Sequence, residues 1–138
     1  MKYLGLDLGS RTLGIATTDA TGLIASTYKT IRHNEEYDRL LTEVKGIIEE
    51  LNIDEVVLGF PKNMNNTIGP KGELSLEFKE KLEKLVTIPV HLQDERLTTK
   101  SATDMLIMGN VSRKDRKKVV DSVAATIILQ TFLDRKRN

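Results

Sequence analysis

Tyr3-Leu4-Gly5-Leu6-Asp7-Leu8-Gly9 is an apolar strand carrying a single charge, and a turn through Gly9-Ser10 follows it at once. Side chains alternate along a strand, so Leu4, Leu6 and Leu8 share one face and Gly5, Asp7 and Gly9 the other. Asp7 is thus flanked on its own face by residues without side chains, which leaves room beside the carboxylate for a ligand. A charge in a core strand is costly unless it is paired or bound to a metal. That cost marks Asp7 as a candidate site residue; the plainer alternative is an aspartate capping the turn.

Further strands follow at Leu13–Asp19 and Ile24–Ile31, with a hairpin around Ala20-Thr21-Gly22. Glu55–Phe60 is short, apolar and stopped by Pro61, as a buried parallel strand should be. Ile88–Gln93 is a fifth. Between them, Asn34 is placed to cap a helix over Glu35–Leu51, whose Leu40, Leu41, Val44, Ile47, Ile48 and Leu51 recur at helical spacing. Ser75 is placed to cap a second helix carrying Phe78, Leu82, Leu85 and Val86, and Thr99 a third that Gly109 closes. A last helix spans about Arg116–Arg135. The polar stretch Lys62–Gly72 reads as a mobile loop at the carboxyl end of a strand, where open α/β sheets place their sites. The fold class is α/β in a single domain over 1–138: a three-strand meander first, then strands joined by crossover helices.

The chain has 138 residues, no cysteine and a net charge of +1, with 39% hydrophobic and 30% charged residues. That composition describes a soluble globular domain with a core of its own. Disulfides and thiolate metal sites are excluded, no run approaches the roughly 18 apolar residues of a membrane span, and no signal segment precedes the first strand. A cytoplasmic location, with no membrane partner, is the expectation. From Arg113 onward eight Lys/Arg face three Asp, a local +5, so the preceding residues carry −4. The excess lies in Arg113, Lys114, Arg116, Lys117 and Lys118 and in Arg135-Lys136-Arg137. Such patches attract phosphate backbones, although short charge runs are also common on solvated surfaces.

Two further acidic features accompany Asp7. Asp94 and Glu95 close the fifth strand and point to opposite faces if it continues; either could instead pair with Arg96 or cap the next helix. Asp121 is followed at helical spacing by Ala124, Ala125, Ile128 and Phe132, so it heads a buried stripe. The small alanines allow close packing on the sheet, which would bring Asp121 towards the strand ends. Carboxylates gathered there make an oxygen-ligand site for Mg²⁺ or Mn²⁺, and two such ions roughly 3.5–4 Å apart suit phosphodiester hydrolysis. His33, near a helix start and expected to be exposed, and His91, a strand residue with a satisfied hydrogen bond, are not placed as zinc ligands.

The motifs resemble those of the YqgF (RuvX) family. They are Gly5–Ala16; Val57–Pro61 with Met64 and Thr67–Pro70; Asp94-Glu95-Arg96-Leu97-Thr98-Thr99; and Lys117–Ala125 followed by Ile128-Leu129-Gln130. The resemblance is co-linear over essentially the whole chain. It implies an RNase H-like fold with a mixed five-stranded sheet and flanking helices. It also implies a divalent-metal-dependent endonuclease, either processing the 5′ end of pre-16S ribosomal RNA or resolving Holliday junctions. The implied triad is Asp7, Glu95 and Asp121, holding Mg²⁺ or Mn²⁺, with Asp94 a further candidate ligand. Arg11, Lys62, Arg96, Arg113, Lys114, Arg116, Lys117 and Lys118 are the implied nucleic-acid contacts. The partners would be structured RNA on a ribosomal precursor particle, or branched DNA; oligomeric state stays open. The chain departs from the family pattern in having one basic residue after the first turn, Arg11 followed by Thr12, and Asn65-Asn66 where aspartate and glycine are usual. Asp7-Leu8-Gly9-Ser10 also resembles the phosphate turn of actin-like ATPases and sugar kinases, which bind nucleotide between two domains where this chain supplies one. A non-catalytic ribosome-assembly module would keep the basic patch without needing all three acids.

Overall fold

A computed structural model describes residues 1–61, 68–94 and 113–137, with the side chains of 113–122 and 137 outside that description. The sequence assigns a helix to Thr99–Gly109; it lies outside the described residues. The rest orders as β1 (Tyr3–Leu8), β2 (Thr12–Thr18), β3 (Ala25–Arg32), α1 (Tyr37–Leu51), β4 (Glu55–Phe60), α2 (Pro70–Leu85), β5 (Val90–Asp94) and α3 (Arg113–Arg137). One five-stranded sheet runs β3-β2-β1-β4-β5, antiparallel through the meander and parallel from β1 to β4 to β5. The hairpin between β2 and β3 turns on Gly22, whose φ of +67° suits a residue without Cβ.

The alternation of β1 divides the molecule into two layers. Leu4, Leu6 and Leu8 pack with Val56, Leu58 and Val90 against Leu40, Val44 and Ile48 of α1 and Phe78 and Leu82 of α2. Gly5 lies on the other face, beneath α3, where Ala16 and Val57 meet Ala125, Ile128, Leu129 and Leu133. A Cβ at Gly5 would come within 2.8 Å of Leu129 Cβ and 3.1 Å of the Ala125 carbonyl oxygen, so α3 rests almost on the backbone of β1. Polar contacts fix its direction. Lys136 donates to Tyr3 Oη at 2.7 Å and to Glu55 at 3.3 Å, while Gln130 accepts from the Ala25 amide at 2.8 Å. The helix therefore runs antiparallel to β1, with its carboxyl end over the start of that strand.

Two helix starts differ from the sequence expectation. α2 begins at Pro70 rather than at Ser75, so the expected loop loses its last residues to a helix. Proline suits a first helical position, where its missing N–H is no loss, and Ser75 is buried within the helix instead of capping it. Gly72 permits this start, because a Cβ there would meet the Pro61 oxygen at 2.9 Å and Ile68 Cγ2 at 2.7 Å. α1 begins at Tyr37 rather than Glu35. Asn34 accepts a hydrogen bond from Arg11, and Glu35 adopts a left-handed φ of +63° that breaks the helix before it. Among the described residues no helix is long and apolar enough to cross a membrane.

Candidate functional site

Asp7 occupies the carboxyl end of β1, half-buried, on the face that α3 covers. The pairing register surrounds it with glycines. Gly14 of β2 lies directly opposite. In-register continuation of the Leu6–Leu58 pair sets Gly59 of β4 beside it on the other flank. With Gly5 and Gly9 along the strand, the neighbours of Asp7 within the sheet on both flanks are glycines. Sequence alternation reveals the glycines of its own strand; Gly14 and Gly59 emerge only from the pairing of distant segments.

The same register sorts the acids after β5. Gly59 pairs with Gln93 and Phe60 with Asp94, so Gln93 shares the face of Asp7. Asp94 lies in the row of Leu8 and Phe60, on the face that α1 and α2 cover. Glu95, Arg96 and Lys62 lie outside the described residues. Asp121 falls in α3 one turn before Ala125. Since Ala125 and Leu129 sit over Gly5, one turn back along α3, about 6 Å, matches the two strand residues from Gly5 to Asp7, about 6.6 Å. The backbone of Asp121 thus approaches Asp7 from above. Arg113, Lys114, Arg116, Lys117 and Lys118 occupy the two turns before it, which gives the basic segment the same end of the sheet.

The turn after Asp7 is built tightly. The Gly9 amide donates to the Thr12 oxygen at 2.8 Å, and the His33 amide donates to the Arg11 oxygen at 2.9 Å. Arg11 is exposed at the tip. His33 is not the exposed residue that its position before a helix implies. It is 8% exposed, with Nε2 2.9 Å from the Gly9 oxygen. His91 does make the hydrogen bond expected of it, at 2.9 Å to Glu55. Burial pushes the Glu55 carboxyl up, but hydrogen bonds from His91, Tyr3 and Lys136 outweigh it and hold the group below its ordinary range. That cluster lies at the opposite end of the parallel strands from Asp7 and serves to anchor α3.

Among the described residues no three His, Cys, Asp or Glu side chains gather closely enough to hold a metal. Among the described side chains, the carboxylate set at this end of the sheet on the α3 face is Asp7, with glycines beside it on the neighbouring strands.

A family model described as "RuvX: Holliday junction resolvase" matches residues 1–135. The chain belongs to the RuvX family. A Bacillus subtilis (strain 168) member named "Putative pre-16S rRNA nuclease" is 52% identical over 135 residues, covering 97% of this chain and 98% of that protein. A Geobacillus kaustophilus member of the same name is 49% identical over 138 residues, covering 99% and 100%. Among solved structures, Thermus thermophilus RuvC in complex with a Holliday junction substrate superposes with a TM-score of 0.63 at 15% identity, covering 100% of this chain and 97% of that one. Fowlpox virus resolvase in complex with Holliday junction DNA gives 0.64 at 13%, covering both chains fully. The RuvX chain thus has the RNase H-like fold that its motifs imply.

Proposed function

We propose that this RuvX protein is a divalent-metal-dependent endonuclease that cleaves phosphodiester bonds of structured RNA at the 5′ side of pre-16S ribosomal RNA. The observation that carries the reading is the placement of Asp7 between glycines of the flanking strands at the carboxyl end of a central strand, with the backbone of α3 running towards it at position 121. The names of relatives matched over their full length supply the substrate.

Asp7 would hold the ions, with Asp121 and Glu95 completing the donor set. Glu95 is favoured over Asp94 because the register of β5 turns Asp94 to the face that α1 and α2 cover. Bound Mg²⁺ or Mn²⁺ would supply Lewis-acid stabilisation of charge on the phosphoryl oxygens. The protein's own part is to hold carboxylates at fixed separation and to grip the chain on either side. Arg11, at the turn tip, offers a bidentate phosphate contact; Arg113, Lys114, Arg116, Lys117 and Lys118 add a basic shoulder, and Lys62 and Arg96 further cations. Cleavage of branched DNA is the second reading, favoured by the family model's description. It requires paired cuts related by symmetry and hence a dimer.

The test is to incubate the protein with a 5′-extended 16S precursor and with a four-way DNA junction, with and without Mg²⁺ or Mn²⁺, alongside Asp7→Asn. Metal-dependent RNA cleavage that the substitution abolishes is expected. Equal cleavage by both proteins overturns the assignment of Asp7, and cleavage of the junction alone selects the second reading.

A further inference from the structure

The geometry points to His33 as the residue that positions the turn behind Asp7, an inference that rests on the reading of Asp7 as a site acid. Residue 33 grips both ends of that turn. Its backbone amide donates to the Arg11 oxygen at 2.9 Å, and its Nε2 reaches the Gly9 oxygen at the same distance. The other ring nitrogen, Nδ1, accepts from the Glu35 amide at 3.0 Å. A backbone N–H can only donate, so Nδ1 carries a lone pair and Nε2 carries the hydrogen given to Gly9. Both nitrogens are therefore committed, in a ring buried edge-on against Tyr37 at 5.5 Å between centroids.

This bond acts at a sensitive place. Gly9 is two residues beyond Asp7 on the same face, and its carbonyl defines the first peptide plane of the turn. With no Cβ, that plane has little intrinsic preference. The chain nevertheless reverses tightly there, because the Gly9 amide closes on Thr12. His33 selects one orientation of the plane, and with it the exit of β1 and the entry of Arg11. The left-handed backbone of Glu35, φ +63°, accompanies the arrangement, and such a conformation in a residue other than glycine persists only where its surroundings hold it. A displacement near 1 Å of a group at a reacting centre costs up to about a hundredfold in rate.

Two amide side chains separate the two halves of the clamp. Glutamine reaches as far as Nε2 and restores a donor to Gly9; asparagine reaches as far as Nδ1 and restores an acceptor for Glu35. The readouts are kcat and KM on the RNA precursor, Mn²⁺ affinity by calorimetry, and the thermal midpoint. His33→Ala should lower Mn²⁺ affinity and kcat about tenfold through displacement of Asp7. His33→Gln should recover most of both, whereas His33→Asn should recover the thermal midpoint without them. If Mn²⁺ affinity and kcat simply follow the midpoint across the three variants, or if His33→Asn performs as well as His33→Gln, the positioning role is overturned. Asp7→Asn, run in parallel, distinguishes the two layers of inference. Retained Mn²⁺ binding and cleavage in that variant would remove the site reading and the role of His33 together. Loss of both, with the glutamine and asparagine variants at position 33 indistinguishable, would remove only the role of His33.

Discussion

Gly5→Ala tests how closely α3 lies on β1. The added methyl would stand 2.8 Å from Leu129 Cβ and 3.1 Å from the Ala125 oxygen. Neither atom is the free end of a flexible side chain: one is anchored directly to the helix backbone and the other belongs to it. Relief therefore requires α3 to lift by roughly half an ångström to one ångström, against the contacts of Lys136 and Gln130 that tether its carboxyl half. Overpacking of this kind costs about 1–3 kcal/mol. Replacing glycine opposes it by about 0.4–1 kcal/mol, through the reduced freedom of the unfolded chain. A net loss of about 1–2 kcal/mol remains, or about 3–7 °C in the midpoint at this chain length. Thermal and urea unfolding of the two proteins measure it. Because α3 also carries Asp121, cleavage should fall more than stability does, by about tenfold, since displacements near 1 Å at a reacting centre cost up to about a hundredfold. A midpoint equal to or above that of the parent would refute the close approach of helix and strand.

Gly72→Ala forces a methyl against the Pro61 oxygen at 2.9 Å and should cost about 1–3 kcal/mol in chemical denaturation, a smaller loss indicating that the start of α2 gives way. Phe78→Ala empties a fully buried position between α1, α2 and the sheet and should cost about 3–5 kcal/mol by the same measurement. Glu55→Gln should cost about 1–2 kcal/mol at neutral pH through weakened hydrogen bonds to a charged group. The folded carboxyl is held below its ordinary range, so its contribution is present above that range and is lost as pH falls through the depressed value. The difference between the two proteins should accordingly close on acidification; a gap that persists in strong acid would assign the effect to packing rather than to charge.

Much of this architecture is legible in local pattern. The alternation of Leu4, Leu6 and Leu8, the helical stripe from Leu40 to Ile48 and the halt of β4 at Pro61 each rest on a physical period or a blocked conformation, and each appears in the structure. Readings that failed turn on non-local competition. Ser75 has the chemistry of a cap, yet Gly72 lets the chain coil earlier against Pro61, and Asn34 gives its oxygen to Arg11 of the distant turn after β1. His33 looks exposed from its polar neighbours because its acceptor, Gly9, is far away in sequence. At the site, Asp7 announces itself through the cost of a charge in a strand. The glycines that flank it in the sheet become apparent only once β2 and β4 are in register.

The way α3 covers the sheet has a consequence for biosynthesis. Among the described residues, the apolar cover over Ala16 and Val57 comes from positions 125–133, far from both in sequence. Strands β1, β2 and β4 emerge from the ribosome long before that cover exists, and one face of the nascent sheet stays wet in the meantime. Contacts of such sequence separation form late and slowly, and uncovered apolar surface invites association with other chains. Asp7 acquires its roof only once the distant α3 has been made. Truncation before α3 should therefore yield an aggregation-prone sheet rather than a smaller working domain.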